Sequence, residues 1–121
     1  MPNPIPQQSF EMMRTEHAGL PLVRMRGRLT IGEASKSLRA CMAGIGSEGH
    51  KRVLLDMAEV TYMDSAGLGA LVAGYNLVKS GGGTVGLFKV PKRIRDLIEM
   101  SGLTAVFRIY ETEQDAAAAA S

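Results

Sequence analysis

This sequence predicts a single α/β domain: a mostly parallel five-stranded sheet, an antiparallel N-terminal strand and about four helices. Three observations carry that expectation. Short apolar runs alternate with segments of helical period, the pattern of strands joined by right-handed crossover helices. Val53-Leu54-Leu55 is continuously apolar, which suits a strand buried on both faces. The first two strand-like segments meet at the turn-prone His17-Ala18-Gly19, so they form an antiparallel hairpin.

Each element has its own signal. Residues 1–7, Met-Pro-Asn-Pro-Ile-Pro-Gln, are Pro-rich and expected to be disordered, so the domain is taken as 8–121. Phe10–Glu16 and Leu20–Leu29 read as strands. In the second, Val23, Met25, Gly27 and Leu29 alternate with Arg24, Arg26 and Arg28, which puts the three arginines on one face, either solvated or available to an acidic partner. Thr30 followed by Glu33 has the spacing of a capping box, and Ala34, Leu38, Cys41, Met42 and Ile45 then recur at helical period, giving a helix from about Ile31 to Ala43. Gly46–Lys51 is a loop, and Arg52–Asp56 is the buried strand, with Asp56 ending it as a turn former.

From Ser65 to Ser80 the stripe Leu68, Leu71, Val72, Tyr75, Val78 is helical. Ala66, Gly69, Ala70, Ala73 and Gly74 keep much of the remaining surface small. Each interior glycine costs up to about 1 kcal/mol relative to alanine, which implies close approach by the sheet or by a partner. Gly81-Gly82-Gly83 stops this helix before the strand Thr84–Phe88. Pro91 suits a first helical turn, Ile94, Leu97 and Ile98 form a stripe, and Gly102-Leu103 has the form of a Schellman ending. Val106–Tyr110 is the last strand, and Glu111–Ala120 is a terminal helix or a frayed tail, because alanine propensity alone does not hold a helix.

Composition narrows the function. At 121 residues, 45% hydrophobic and 21% charged, the chain suits one core. A formal charge of +2, no Trp and 5% aromatics argue against a nucleic-acid surface. Cys41 is the only cysteine, which leaves no disulfide, thiolate cluster or redox pair, and its place on an apolar stripe makes it a small hydrophobe. No signal peptide or membrane span is legible, so a cytoplasmic protein is expected. No His, Asp, Glu or Cys pair has metal spacing and no nucleotide cradle is present, so neither metal nor cofactor is expected.

The segment Val60-Thr61-Tyr62-Met63-Asp64-Ser65-Ala66-Gly67-Leu68-Gly69 places a hydroxyl at a helix start. Such a terminus presents unsatisfied N–H groups and the positive end of the helix dipole, so it tolerates negative charge. A serine there can cap the helix, be acylated or be phosphorylated. The nucleophile reading fails: an elbow needs Gly where Met63 stands, and both His17 and His50 precede the serine. Both histidines are expected to be exposed and without function. Ser65 or Asp64 would serve as N-cap, and with two adjacent caps one is free for another task.

Val53-Leu54-Leu55-Asp56, the Val60–Gly69 segment and Glu99-Met100-Ser101-Gly102-Leu103 together resemble the signature segments of the STAS domain, and more narrowly those of bacterial anti-sigma factor antagonists. The resemblance spans about residues 8 to 115 and implies a STAS-like single domain that works as a binding switch and not as an enzyme. It implies that Ser65 is phosphorylated by a serine kinase that is also the anti-sigma factor, and that the unmodified form binds that kinase and frees the sigma factor. A serine phosphatase then resets the switch. The implied partner surface is Thr30, Asp64, Ser65, Ala66, Gly67 and Gly69, with Asp64 orienting the kinase. The chain departs from the family pattern at Thr30, where many antagonists carry an acid. That bears on how efficiently Ser65 is phosphorylated and by which kinase. It also keeps open a second role, a non-catalytic adaptor in a stressosome-like scaffold or in a lipid-transport ATPase complex. A monomer or a weak dimer through an edge strand is expected.

Overall fold

A computed structural model describes residues 10–50 and 52–119. The N-terminal segment expected to be disordered lies outside the described residues, as do Ala120 and Ser121. The elements are β1 (Phe10–His17), β2 (Leu20–Leu29), α1 (Glu33–Ser47), β3 (Arg52–Met63), α2 (Ser65–Ser80), β4 (Thr84–Phe88), α3 (Lys92–Met100), β5 (Arg108–Tyr110) and α4 (Glu113–Ala118). The sheet runs β1-β2-β3-β4-β5, with β1 antiparallel to β2 and every later pair parallel. The predicted architecture is the observed one.

Because each parallel strand adds beside its predecessor, successive crossovers of one hand place their helices on one face. The main core follows: Val23 and Met25 of β2, Val53 and Leu55 of β3, and Val85 and Leu87 of β4 pack under Leu38, Met42, Leu71 and Ile94 of the helices. Each such side chain contributes roughly 1.5–3 kcal/mol by leaving water. On the opposite face Leu22, Leu54 and Phe88 form a second, smaller cluster closed by Ala116 of α4. Both faces of β3 are therefore buried as its sequence requires, one of them by the C-terminal helix.

Helix α4 is an ordered element and not a frayed tail. Thr112 Oγ1 accepts from Asp115 N at 3.0 Å, and the Arg52 guanidinium donates to the Ala117 carbonyl. Glu113 accepts from His17 Nδ1 at 2.6 Å and from Arg24 at 3.3 Å, while Arg24 also binds Asp56. These contacts correct two expectations. His17 ends β1 as a partly buried partner of Glu113, and is not a free turn residue. Asp56 lies within β3, buried and ion-paired, and is not a strand-ending turn former. His50 does lie beyond α1, and it contacts Glu48 at 2.8 Å.

Strand β3 continues to Met63, well past Asp56, because it gains residues on β2 at two irregularities. Arg24 opposes Asp56 but Arg26 opposes Glu59, and Gly27 opposes Val60 but Arg28 opposes Tyr62. Each inserted residue resets the alternation of inward and outward side chains, which hides the strand from a period-two reading. The inserted residues are on β3, so β2 keeps its alternation and the three arginines share the face opposite buried Val23, Met25 and Leu29: Arg24 is ion-paired, Arg26 lies near Glu11 at 3.5 Å, and Arg28 stacks on Tyr62 at 4.4 Å. Strand β5 is shorter than expected, since Val106 N and Phe107 N both turn back to the Leu103 carbonyl.

The helix stops are as the glycines predict. Gly102 N donates to Glu99 O and Leu103 N to Ile98 O, with Gly102 at φ +74°, which is a Schellman motif. Gly82 and Gly83 repeat it after α2, on Lys79 and Val78. The capping box at α1 is not made. Gly32 at φ +105° is the N-cap and no side chain caps the helix, because that backbone conformation turns Thr30 away and directs its carbonyl to Ser35 N and Oγ.

His17 first, then Arg24, holds the Glu113 carboxyl below its ordinary value of 4.5, against the opposing effect of burial. A depressed folded pKa means that this contribution is full above about pH 4.5 and disappears as pH falls through the lower folded value. Acidification from pH 6 toward pH 3 is expected to lower amide protection at Ala116 before the sheet opens. Glu113→Gln should lower that protection already at pH 6 and remove its pH dependence, as measured by hydrogen exchange.

Candidate functional site

At the C-terminal end of the parallel strands, β3 leads directly into α2, and the residue between them is Asp64. Its backbone is extended, and its Oδ1 accepts from Gly67 N at 2.8 Å, so Asp64 is the N-cap of α2. Its Oδ2 accepts from Ile31 N at 3.1 Å, and its own N–H donates to the Leu29 carbonyl at 3.4 Å. One carboxylate thus ties the start of α2 to the loop between β2 and α1. The Gly67 amide above all, with those of Ile31 and Ala66, keeps this carboxyl below its ordinary value, so it remains an anion.

Since Asp64 takes the capping role, Ser65 opens α2 with its side chain exposed. The Ile31 to Asp64 bond brings the segment that begins at Thr30 beside Ser65. Thr30 is half-buried and lines a shallow pocket of about 340 Å³ with Phe10, Arg28, Ile31 and Ser37. Ala66 is half-buried.

The glycines of α2 divide by what a side chain would meet. A Cβ on Gly67 would lie 2.0 Å from the Leu29 carbonyl oxygen, so this buried residue serves the fold and offers a partner nothing to touch. A Cβ on Gly74 would lie 2.7 Å from Met42 Cγ, where α1 crosses. At Gly69 the nearest atom is Arg39 Nη2, at 3.7 Å, and there is room. The question of sheet or partner therefore has separate answers: packing explains Gly67 and Gly74 and does not explain Gly69.

Sequence reasoning missed the apolar rim of this end of the molecule. Ile31 is 78% exposed, Met100 85% and Tyr62 38%. Tyr62 and Met100 border a groove of about 490 Å³ between β3 and α3, with Leu97 in its wall and Lys92, Arg93 and Asp96 along it. The available signal was an isoleucine between Thr30 and Gly32, where the helix had not begun. Among the described residues, no group of three His, Cys, Asp or Glu is placed to hold a metal, and no helix is long and apolar enough to cross a membrane. The titratable neighbour of Ser65, Asp64, has both carboxylate oxygens engaged by backbone amides. Those two bonds leave Asp64 committed to the backbone and the Ser65 side chain exposed beside it.

The STAS domain family matches residues 11–116. The anti-sigma F factor antagonist of Paenibacillus polymyxa is 28% identical over 108 residues, covering 89% of this chain and 92% of its own. A crystal structure of an anti-sigma factor antagonist from Mycobacterium paratuberculosis superposes with a TM-score of 0.77 at 23% identity, over 91% of this chain and 92% of the other. The Bacillus cell fate determinant SpoIIAA in its phosphorylated form superposes with a TM-score of 0.68 at 20% identity, over 90% of this chain and 96% of that one.

The contrast among the glycines is measurable. Gly67→Ala should destabilise the domain by about 3 kcal/mol, since a backbone carbonyl cannot move aside as a side chain can. Gly69→Ala should raise stability by up to about 1 kcal/mol. Urea unfolding of both variants checks this, and a Gly69→Ala chain less stable than the parent would contradict the open space at that position.

Proposed function

The chain belongs to the STAS domain family, and from that premise we propose that it is an anti-sigma factor antagonist whose binding is switched by phosphorylation of Ser65. Its partner is an anti-sigma factor with serine kinase activity, and it acts by binding, without catalysis of its own. A serine phosphatase restores the binding form, and sigma-factor-dependent transcription is what the cycle regulates.

The observation that carries this reading is the exposed Ser65 hydroxyl at the start of α2, left uncommitted because Asp64 caps the helix. Exposed Ile31, Tyr62 and Met100 around the same end supply apolar area for a partner. Ser65, Gly69 and the Thr30–Ile31 segment form the central part of the proposed contact, with Asp64 and Ala66 at its edge. The Paenibacillus relative bears the antagonist name over nearly its whole length, and the phosphorylated Bacillus protein is a chain of this fold that carries the modification.

Electrostatics accounts for the switch. A phosphoryl group adds about −1.5 to −2 charge at neutral pH. At a helix N-terminus that charge is favourable within the chain, so the fold persists. A partner packed over Ser65 would have to desolvate the dianion beside the Asp64 carboxylate, so the complex is lost. Thr30 supplies no carboxylate there, so the acids that a kinase would read are Asp64 and Glu33, which lines the same pocket as Thr30.

Incubation with ATP and the candidate kinase from the same genome, followed by intact mass, tests the reading. One phosphate adduct, abolished by Ser65→Ala, is expected. Stable co-purification with an ATPase and no adduct would instead identify an adaptor subunit of a scaffold or transport complex. Ser65→Asp is expected to weaken kinase binding at least about tenfold, with the melting temperature unchanged within about 2 °C. A variant that bound normally, or that unfolded, would count against an interface effect.

A further inference from the structure

Ser65 and Gly69 are four residues apart in α2 and so lie one above the other on the same face, with Cβ positions about 5–6 Å apart. Helical side chains lean toward the N-terminus, so a side chain at position 69 would extend over Ser65. With glycine there, that space is open, and the atom that borders it is Arg39 Nη2 from α1, 3.7 Å from where the Cβ would stand. The fold does not require this glycine, unlike Gly67 and Gly74, yet a glycine in a helix interior costs up to about 1 kcal/mol.

Arg39 is exposed. Among the described residues it takes part in none of the ion pairs, whereas Arg14, Arg24, Arg26, Arg95 and Lys92 each have an acidic partner. Arg28 is held on the Tyr62 ring. Across the gap, the charged neighbour of Ser65 is Asp64, whose oxygens face the Gly67 and Ile31 amides. Arg39 is therefore a cation of the adjacent helix that is outside the ion pairs and borders the position above Ser65, within a side-chain rearrangement of it.

We infer that Arg39 is the internal phosphate receptor of this domain: its guanidinium crosses the gap left by Gly69 and binds the phosphoryl group on Ser65. The guanidinium fork matches two phosphate oxygens, and a lysine ammonium does so less well. The contact offsets the repulsion from Asp64 and joins α1 to α2 at the surface. It also withdraws a cation from the face offered to the partner. This inference rests on Ser65 as the modified residue.

The test places phosphoserine at position 65 during translation, so that it needs no kinase and its outcome is separate from the kinase assay. The probe is the second phosphate pKa, ordinarily about 6, followed by phosphorus NMR. It should be lower by about half a unit or more in the otherwise unaltered chain than in Arg39→Ala, with Arg39→Lys between them. Gly69→Leu, which fills the gap while leaving Arg39 in place, should raise it as Arg39→Ala does. Arg28→Ala should leave it unchanged. An equal pKa with and without Arg39, or a shift that follows Arg28 instead, overturns the inference. Melting curves of the unmodified variants show that each chain is folded, the Arg39 variants being expected to match the parent within about 2 °C because residue 39 is exposed and Gly69→Leu to melt no lower than the parent. If the titration behaves as expected but no kinase adduct forms on Ser65, the contact stands and the switch does not.

Discussion

The end of the molecule that matters depends on one carboxylate. Asp64 accepts from Gly67 on one oxygen and from Ile31 on the other, and its own amide reaches Leu29. Those bonds join the ends of β2 and β3 to the start of α2 and to the turn that leads into α1. A side chain that bridges two amides is worth more than a cap alone: it satisfies the N–H of buried Gly67, which would cost free energy without a partner, and it also ties down the segment at Ile31. The same bonds keep the carboxyl ionised and leave the next residue, Ser65, with no structural duty.

Close packing completes the arrangement. Gly67 lets α2 press its first turn against the Leu29 carbonyl, and Gly74 lets α1 cross α2 at Met42. Both are internal requirements, and with them met the outer line of the helix is free to be shaped by something else. Gly69 lies on that line, between Ser65 below it and Arg39 beside it. Exposed Ile31, Tyr62 and Met100 border the same end, which makes it more apolar than a solvated surface needs to be.

The other face of the sheet is held differently. Helix α4 covers Leu22 and Leu54 near the beginnings of their strands, and His17, Arg24, Asp56 and Glu113 form a charged network at its margin. Six residues of helix bury little area, so hydrogen bonds to Glu113 and Ala117 hold much of what the alanines cannot. This network and Ser65 lie toward opposite ends of β3. A charge placed on the serine therefore reaches the solvent and the partner surface without meeting the ions that dock α4.

The sequence by itself determined what depends on near neighbours: the strand and helix order, the glycine stop after α2, the Schellman ending at Gly102, and a serine and an aspartate at the start of α2. These follow from periodicity and from backbone stereochemistry within a few residues. Only the tertiary structure decided what depends on residues distant in the chain. It selected Asp64 over Ser65 as the cap, because Ile31, 33 residues away, offers the second amide. It carried β3 on to Met63, because the shifts in register are set by pairing with β2 and erase the alternation. It gave His17 a partner 96 residues away in Glu113. It also separated the glycines that packing demands from the one it does not, since the atom each Cβ would meet belongs to another element of the fold.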